Sequence, residues 1–419
     1  MPEVTFVALH ALPAIDPSVP GIFGGTETRA WTFARALARD PEWKVNFAVR
    51  PRPPQSAYHG VHIERIRNPL YEVRLHVSQC LERTPRFPYV KLIRWSWHLL
   101  WEAPLLVITR PFRRRIDDDC GPLPDFVDLP GDVLITFGVH VDSVRTVAAG
   151  KQTGRPVILV LGADSDVDER YATETDDRDP YGNRADVCRR ALLDADAIIA
   201  QTPQQATLLQ QRFGRHATVI SNPIDADLWQ QQSAAPLPNR ISTLQDSGYV
   251  LWIGRADRFH KRAIEGLEVA IRLPEIPFVM VLNPREADVL EEVHRRRPAN
   301  LHLIPQVRFD EVASLFRNAR VFMNTSAPAH EGFPNTFLQA AISGVPICSL
   351  EYGDDFLNRY GAGVSCSGKL DALVSQVQSL WNAQPTAASS VRSSVLRDYG
   401  LSGRLAELQA VVQGLMLDR

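Results

Sequence analysis

At 419 residues the chain is longer than a single hydrophobic core usually supports, so its length predicts two domains. Charged residues make up 22% of the sequence and the formal net charge is -2, which argues against a nucleic-acid-binding protein held by bulk charge. Five cysteines without a Cys-x-x-Cys pair favour reduced thiols, and no basic and apolar leader precedes the first strand pattern, so we expect a cytoplasmic protein.

The first half of the chain alternates apolar runs with helical patterns, which predicts a parallel sheet with helices on both faces. The first strand, at 4–9, leads into Gly24-Gly25-Thr26-Glu27 and a helix at about 26–38. Glycines here let the backbone approach a ligand closely, whereas Glu27 is equally explained as a first-turn glutamate that the helix dipole favours. Further strands are predicted at 45–49, 61–66, 133–137, 157–161, 197–200 and 218–220, and helices at 141–149, 185–195 and 203–213.

Residues 71–130 interrupt this alternation and are predicted to form an insertion, where we expect the structure that selects the acceptor. No apolar run is long enough to cross a bilayer. Residues 91–115 nevertheless combine three tryptophans with apolar residues and end in a basic cluster, so peripheral contact with the inner face of a membrane is one interpretation. The interpretation we favour is a core helix and strand of the first domain, followed by a solvated basic loop.

Two polar candidates follow predicted strands of the first half. Asp164 opens the run Asp164-Ser165-Asp166-Val167-Asp168, whose carboxylates could bind magnesium or manganese or could form a solvated acidic loop that faces the acceptor. We favour the loop, because acidic triplets also arise by chance. His140, after the strand at 133–137, either faces the ligand cleft or is a structural histidine with satisfied hydrogen bonds.

The pattern lapses after residues 221–225 and restarts at Tyr249, so we expect a first domain at 1–235 and a second at 236–395. Strands of the second domain are predicted at 249–253, 278–282, 301–304, 321–324 and 345–349, and helices at 262–272, 286–297, 310–318 and 335–343. A last helical segment is expected to break near Gly400 and Gly403. Open α/β domains bind ligands at the carboxyl ends of their strands, which predicts a site in the cleft between the two.

One candidate motif leaves the carboxyl end of the strand at 249–253 and reads Gly254-Arg255-Ala256-Asp257-Arg258-Phe259-His260-Lys261-Arg262. Arg255 offers a planar fork that matches phosphate oxygens, and Lys261 offers a mobile point charge. Together the two cations can neutralise a diphosphate without a metal ion. Their position between a strand and a helix favours this interpretation over surface charge on a loop.

A second motif joins an acidic loop to the start of a predicted helix and reads Glu331-Gly332-Phe333-Pro334-Asn335-Thr336-Phe337-Leu338-Gln339. The proline suits the first turn of a helix, and the free N–H groups near Asn335 and Thr336 would attract a diphosphate. Glu331 can accept hydrogen bonds from sugar hydroxyls, and Gln339 can reach a ribose. Carboxylate, anion site and amide then lie along one line.

With both motifs present, the second half resembles the retaining glycosyltransferases of family 4, and the resemblance covers nearly the whole chain. It implies an α/β fold of the GT-B type: two Rossmann-like domains with parallel sheets facing an inter-domain cleft, and a final helix at 396–419 that crosses back to the first domain. It also implies a metal-independent enzyme with no cofactor, which moves a hexosyl group from a nucleotide-diphosphate sugar to a hydroxyl acceptor in polysaccharide biosynthesis.

The resemblance implies a role for each motif. Arg255 and Lys261 grip the diphosphate and Glu331 contacts the hydroxyls of the sugar ring, so these three are the predicted catalytic residues. Asp164 and His140 are expected on the acceptor side. The predicted donor-binding residues, with backbone N–H donors at 333–336 and the nucleobase near residue 307, are Gly24, Gly25, Glu27, Val307, Phe333, Pro334, Asn335, Thr336 and Gln339.

The sequence departs from the family pattern at two positions. Gln339 stands where the family usually has a second glutamate that binds the ribose, although an amide still hydrogen-bonds a hydroxyl. Leu161 stands where the family often has a histidine near the reacting carbon. These departures leave two alternatives open: a nucleotide-sugar-binding or partner subunit without activity, and a GT-B sugar-nucleotide epimerase.

Overall fold

The computed structural model describes residues 1–19, 21, 23–67, 70–83, 87–92, 94–112, 120–173, 175–179, 182–328, 331–383 and 388–417. The basic cluster at 113–115, and His330, for which the sequence predicts only capping or packing, lie outside the described residues. Within these ranges the chain forms two open sheets, each covered by helices on both faces. We call each large sheet with its helices a lobe.

The strands of the first half are β1 (Glu3–Val7), β2 (Lys44–Val49), β3 (Ala57–Tyr58), β4 (Val61–Arg65), β5 (Leu81–Arg83), β6 (Val90–Leu92), β7 (Val133–Phe137), β8 (Val157–Val160), β9 (Ala197–Ala200) and β10 (Thr218–Val219). The helices are α1 (Leu12–Ile15), α2 (Gly25–Leu37), α3 (Tyr71–Cys80), α4 (Leu99–Thr109), α5 (Pro124–Val127), α6 (Val141–Thr153), α7 (Ala185–Asp194), α8 (Pro203–Phe213) and α9 (Ala226–Ser233). The first sheet has the order β10-β9-β8-β7-β1-β2-β4-β3, and only the pairing of β3 with β4 is antiparallel.

The central strands of this sheet are apolar throughout because both of their faces are covered. In β7, Ile135 packs into one core and Leu134 into the core on the opposite face, and all five residues of the strand are buried. Parallel strands send all their carboxyl ends to one edge of the sheet. The loops after β1, β7, β8 and β9 therefore meet at that edge.

The second half contains β11 (Tyr249–Arg255), β12 (Phe278–Asn283), β13 (Leu301–Ile304), β14 (Ala319–Asn324), β15 (Ile347–Ser349) and β16 (Gly363–Ser365). Its helices are α10 (Ala263–Arg272), α11 (Ala287–Arg296), α12 (Val312–Asn318), α13 (Asn335–Ile342), α14 (Asp354–Tyr360), α15 (Leu370–Asn382), α16 (Ala388–Tyr399) and α17 (Leu401–Leu417). The second sheet is parallel in the order β13-β12-β11-β14-β15-β16. Its carboxyl edge carries the loops after β11 and β14.

The C-terminal helices join the two lobes. Leu408 and Val412 of α17 are buried in the core of the first lobe, while α16 packs on α13 of the second. The chain breaks only at Gly400, where the Leu401 N–H donates to the Ile224 carbonyl at 3.1 Å; Gly403 lies inside α17. The break expected near Gly400 and Gly403 is therefore confirmed, and it lies at Gly400.

The insertion at 71–130 is built from α3, the antiparallel hairpin β5–β6, α4 and α5. The core interpretation of its aromatic segment is wrong: Trp95, Trp97 and Trp101 are 54%, 74% and 52% exposed. The face of α4 that packs on the rest of the insertion carries Leu99 and Glu102. The opposite face is apolar and exposed, with no protein against it among the described residues. Within the described ranges, no helix combines the length and apolar character needed to cross a bilayer.

Candidate active site

The carboxyl edges of the two sheets approach each other at Gly332. A Cβ atom there would come within 3.1 Å of Ala163 Cα and 3.4 Å of Gln201 Oε1, so the close approach of the lobes requires glycine. Nearby, Asn335 Nδ2 donates to the Gly25 carbonyl at 3.4 Å. Residues that follow strands of both sheets therefore share one cleft.

Glu331 lies within a cluster of basic side chains in this cleft. Lys261 Nζ and His260 Nε2 both donate to Glu331 Oε2, the histidine at 3.2 Å. The glutamate side chain is only 12% exposed. Burial alone would raise the pKa of Glu331, but the attraction of Lys261 and the hydrogen bond from His260 outweigh it and hold that pKa well below its usual range. Glu331 is therefore a largely buried anion with two partners.

Asp257 organises the loop that brings these basic groups together. Its buried Oδ1 accepts the backbone N–H groups of His260, at 3.0 Å, and Lys261, and its Oδ2 lies 3.3 Å from Arg255 Nε. Arg255 also donates to His260 Nδ1, so the proton of the ring is on Nε2, which faces Glu331. Arg255, His260, Lys261 and Glu331 thus form one connected network.

Arg262, directly after Lys261, has a φ of 50°, a left-handed conformation that costs a non-glycine residue about 1–3 kcal/mol. Its guanidinium offsets this strain by donating to the carbonyl oxygens of Thr325, at 2.6 Å, and Ser326, at 2.9 Å, and to the Glu351 carboxylate at 2.9 Å. These contacts fix the loop against the end of β14. Lys261 Nζ then lies 3.2 Å from Ser326 Oγ.

Helix α13 follows Glu331 and starts after Pro334, its N-cap residue. The Phe333 N–H, expected to bind phosphate, instead donates to Gln201 Oε1 at 3.3 Å, and the Phe333 ring stacks on Tyr399 with centroids 5.3 Å apart. Phe333 is thus engaged within the protein. The predicted backbone donors that remain are those of Asn335 and of Thr336, which is partly exposed.

The Gly24-Gly25-Thr26-Glu27 loop opens α2 on the other side of the cleft. Glu27 Oε2 accepts the Gly24 N–H at 2.9 Å, and Glu27 lies in the first turn of α2, as its structural interpretation predicts. A Cβ on Gly25 would lie 3.2 Å from Asn335 Nδ2, so this glycine permits the close approach of the two helix N-termini. The loop therefore borders the cleft opposite the start of α13.

The acidic run after β8 is a hydrogen-bonded 3-10 turn (Asp164–Val167) rather than the expected solvated loop. Asp166 Oδ2 accepts the N–H of Gly162 at 2.6 Å, Asp168 Oδ1 that of Arg170 at 2.9 Å, and Asp164 Oδ1 the amide of Gln205 at 2.9 Å. These bonds direct the three carboxylates to separate local partners instead of a common point. In the part of the chain that the structure describes, no group of three His, Cys, Asp or Glu residues is placed to hold a metal ion.

Asp164 is close enough to Glu331 for the charge of that residue to act on it. Burial, together with repulsion from Asp166 and Glu331, raises its pKa. The carboxyl group therefore binds a proton more readily than an exposed aspartate does. It faces the cleft from the first lobe, the side where the acceptor is expected.

His140 and Leu161 complete the first-lobe edge. His140 Nδ1 accepts the Ser143 N–H at 3.4 Å and caps α6, which accounts for one ring nitrogen by a structural role. The Leu161 side chain is fully buried in the core, and its carbonyl accepts from Gln201 at 2.9 Å. The position that the family often fills with histidine therefore belongs to the core here.

Gln339 and Val307 lie at the side of the cleft away from Glu331. Gln339 lines a small pocket with Thr28, Phe309 and Asn335. The Val307 side chain is buried in the second-lobe core, so only the backbone at that position can meet a nucleobase. Position 339 thus offers a polar side chain, and position 307 only its main chain.

Sequence reasoning missed four residues of the cleft: His260, Asp257, Asn222 and Gln201. His260 and Asp257 lie inside the loop at 254–262. An aspartate that accepts hydrogen bonds from nearby backbone N–H groups is a recognisable signal of a turn. Asn222 Nδ2 donates to Asn335 Oδ1 at 2.7 Å, and Gln201 donates to the Gly162 carbonyl at 2.7 Å. These two contacts join segments far apart in the chain, and no local pattern indicates them.

The lowered pKa of Glu331 predicts how the stability of the protein depends on pH. Because folding lowers this pKa, the stabilisation is complete above the ordinary value of about 4.3 and is lost as the pH falls towards the folded value. We expect the melting temperature of the wild type to exceed that of Glu331→Gln by a constant margin above about pH 5, and the margin to shrink in acid. Glu291→Gln, an exposed control, should track the wild type. A margin that grows below pH 5 would contradict the assignment.

No protein-family model and no curated protein matches this chain. Solved structures do: sucrose-phosphate synthase from Thermosynechococcus elongatus has 16% identity and a TM-score of 0.67, with 100% of both chains covered. HepE from Anabaena, solved with UDP, has 15% identity and a TM-score of 0.61 over 99% of this chain and 100% of that one. A Listeria monocytogenes protein provisionally named a UDP-N-acetylglucosamine 2-epimerase has 11% identity and a TM-score of 0.55 over 100% and 97%. These likenesses confirm the predicted α/β fold, and the chain has the GT-B architecture.

Proposed function

We propose that the protein is a retaining glycosyltransferase of family 4, which moves a hexosyl group from a nucleotide-diphosphate sugar to a hydroxyl acceptor without a metal ion. The observation that carries the proposal is the network of Arg255, His260, Lys261 and Glu331 at the mouth of the cleft, next to the start of α13. The GT-B fold and the UDP bound to HepE support a nucleotide sugar as the ligand.

In this network the basic side chains can bind a diphosphate, and the Glu331 carboxylate can bind a sugar. Lys261 Nζ has three N–H groups, of which one goes to Glu331 and one to Ser326 Oγ at 3.2 Å, so the third can reach a phosphate oxygen. Arg255 adds a second fixed charge. Glu331 Oε2 accepts hydrogen bonds from both Lys261 and His260, so Oε1 can accept a hydrogen bond from a sugar hydroxyl. Preorganised groups of this kind are worth about 3–4 kcal/mol each at other active sites.

In the proposed reaction the bond between the anomeric carbon and the phosphate oxygen breaks first. The electron pair stays on the diphosphate, where Arg255 and Lys261 stabilise it, and the sugar ring becomes cationic near the Glu331 carboxylate. The acceptor hydroxyl then bonds to the anomeric carbon from the same face and gives its proton to the departing phosphate oxygen. This route needs no first-lobe base, which agrees with the burial of Leu161.

Two alternatives rest on specific observations. Leu161 and the uncharged Gln339 are the changes expected of a subunit that binds nucleotide sugars without turnover. The likeness to the Listeria protein supports an epimerase, which would alter the donor sugar without releasing nucleotide. Both alternatives predict binding of the same ligand class, so binding alone does not separate them from a transferase.

An assay of donor turnover in the absence of acceptor distinguishes the transferase, the inactive subunit and the epimerase. Uridine, guanosine and adenosine diphosphate hexoses would be incubated with the protein in EDTA and followed by proton NMR. We expect slow release of nucleoside diphosphate from one donor, with the free hexose first appearing in the anomeric configuration of that donor. Binding without turnover favours the inactive subunit, a changed donor sugar without nucleotide release favours the epimerase, and the opposite anomer contradicts retention.

A further inference from the structure

The insertion carries an apolar surface that the proposed transfer reaction does not use. Most of the large hydrophobic side chains exposed in the described part of the chain belong to it, among them Phe87 at 85%, Tyr89 at 61% and Trp97 at 74%. Tryptophans 95 and 97 contact each other with ring centroids 5.8 Å apart. Contiguous exposed aromatic surface of this kind marks an interaction site.

Helix α4 gives this surface an ordered face. Its exposed apolar residues are Leu100, Trp101, Pro104, Val107 and Ile108, a spacing that places them along one side of a helix. The opposite side holds buried Leu99 and Glu102 against the rest of the insertion. The helix therefore presents an apolar stripe with no charged residue on it.

Basic residues flank the stripe. Between 87 and 112 the charged residues are Lys91, Arg94, Glu102 and Arg110, and the three basic ones are exposed. Glu102 is 6% exposed and accepts from His76, so it adds no negative charge to the surface. The outer face of the insertion thus combines aromatic and aliphatic side chains with three exposed basic residues.

We propose that this face docks on an anionic lipid bilayer. Tryptophan and tyrosine favour the interface between headgroups and acyl chains, an apolar helix face can lie in that plane, and exposed Lys and Arg are attracted by anionic headgroups. A second copy of this chain fits the surface less well, because a two-fold contact would bring together two copies of the same patch, each carrying Lys91, Arg94 and Arg110. The positive charge of the surface complements an anionic lipid headgroup and repels the same surface on a second copy.

The insertion is tied to the edge of the first sheet that borders the cleft. Tyr71, at the start of α3, lies 3.4 Å from His10 Nδ1 and packs on Arg50, which pairs with Asp142 at 2.8 Å. Docking would therefore hold the carboxyl edge of the first lobe near the bilayer. The docking surface shares no residue with the Arg255–Glu331 network, so the tests of binding and of transfer fail independently.

The experiment is co-sedimentation of the full chain with vesicles of phosphatidylcholine alone or mixed equally with phosphatidylglycerol. We expect binding to the anionic vesicles and little binding to the neutral ones. Trp97→Ala with Trp101→Ala should lower the partition coefficient at least about tenfold, from lost apolar burial. Lys91→Glu with Arg94→Glu should lower it at least about 20-fold at low salt, since each basic side chain contributes about fivefold, the equivalent of about 1 kcal/mol.

Two matched double variants serve as controls. Leu193→Ala with Leu417→Ala truncates exposed apolar residues elsewhere, and Arg295→Glu with Arg297→Glu makes the same charge change on exposed residues near the end of α11. Both should bind like the wild type, and circular dichroism should show all variants folded. Absence of binding to anionic vesicles, equal loss in the controls, or a dimer that the tryptophan variant dissociates while vesicle binding persists would each overturn the proposal.

Discussion

Lys261→Met is expected to lower kcat/KM for nucleotide-sugar turnover by about 10²–10³-fold, the loss seen when one preorganised charge donor is removed from other active sites. Lys261 is one of two basic groups assigned to the diphosphate, and its Nζ lies beside Glu331 and Ser326. Methionine keeps much of the side-chain volume and removes the charge, so the change reports on electrostatics. The measurement is the initial rate of nucleoside diphosphate release.

Lys369→Met is the matched control, because Lys369 is an exposed lysine on the same lobe, before α15. It should turn over donor like the wild type. The melting temperatures of both variants, measured without ligand, show whether either loses its fold. A folded Lys261→Met enzyme that keeps kcat/KM within threefold of the wild type would remove Lys261 from the transition state.

Asp225→Asn is expected to lower the free energy of unfolding by about 3–5 kcal/mol, the usual cost of leaving one partner of a buried ion pair unpaired. Asp225 Oδ2 pairs with Arg35 of α2 at 2.9 Å, and both side chains are less than 10% exposed. Its Oδ1 accepts the Leu228 N–H at 3.1 Å and caps α9. The residue therefore anchors the connection between the lobes to the first lobe. Urea denaturation measures the change.

Asp227→Asn provides the control for this prediction. Asp227 is exposed in the first turn of the same helix, so its loss should cost less than about 1 kcal/mol. The double variant Arg35→Met with Asp225→Asn should recover part of the loss, because it also removes the unpaired guanidinium. Equal destabilisation by the two single asparagine variants would show that the buried pair contributes nothing beyond helix capping.

The sheets and the helix starts near the site were predictable because local physics fixes them. The strands predicted at 133–137, 197–200 and 301–304 have these bounds in the structure, since continuous apolar runs suit a sheet covered on both faces. The helix at Asn335 begins where a proline and the apolar run after it predict. Arg255 and Lys261 were recognisable for the same reason: Arg255 is the last residue of β11, and Lys261 lies in the loop that follows it.

The contacts within the cleft were not predictable, because they join residues far apart in sequence. Nothing local to His260 indicates that its ring lies between Arg255 and Glu331. From the sequence, the Phe333 N–H is predicted to bind phosphate. In the structure it donates to Gln201 of the other lobe. Which partner meets a given donor depends on how the two sheets face each other.

The insertion shows a different limit. An apolar stripe at helical spacing predicts that one side of a helix is covered, but it does not say whether protein or lipid covers it. The bias towards a protein core led to the wrong expectation for Trp97 and Trp101. Between residues 87 and 112 the sequence has one acidic residue against three basic ones, and this balance is the signal that favours the membrane interpretation.

Calorimetric titration of UDP, GDP and ADP in EDTA tests the central claim that Arg255 and Lys261, with the start of α13, hold a diphosphate in the cleft. We expect one of these nucleotides to bind with a stoichiometry of one. Arg255→Ala with Lys261→Ala should weaken this binding at least about 100-fold, because two charge-assisted hydrogen-bond donors are lost. Unchanged affinity in the double variant, or binding that appears only with a divalent metal, would contradict it.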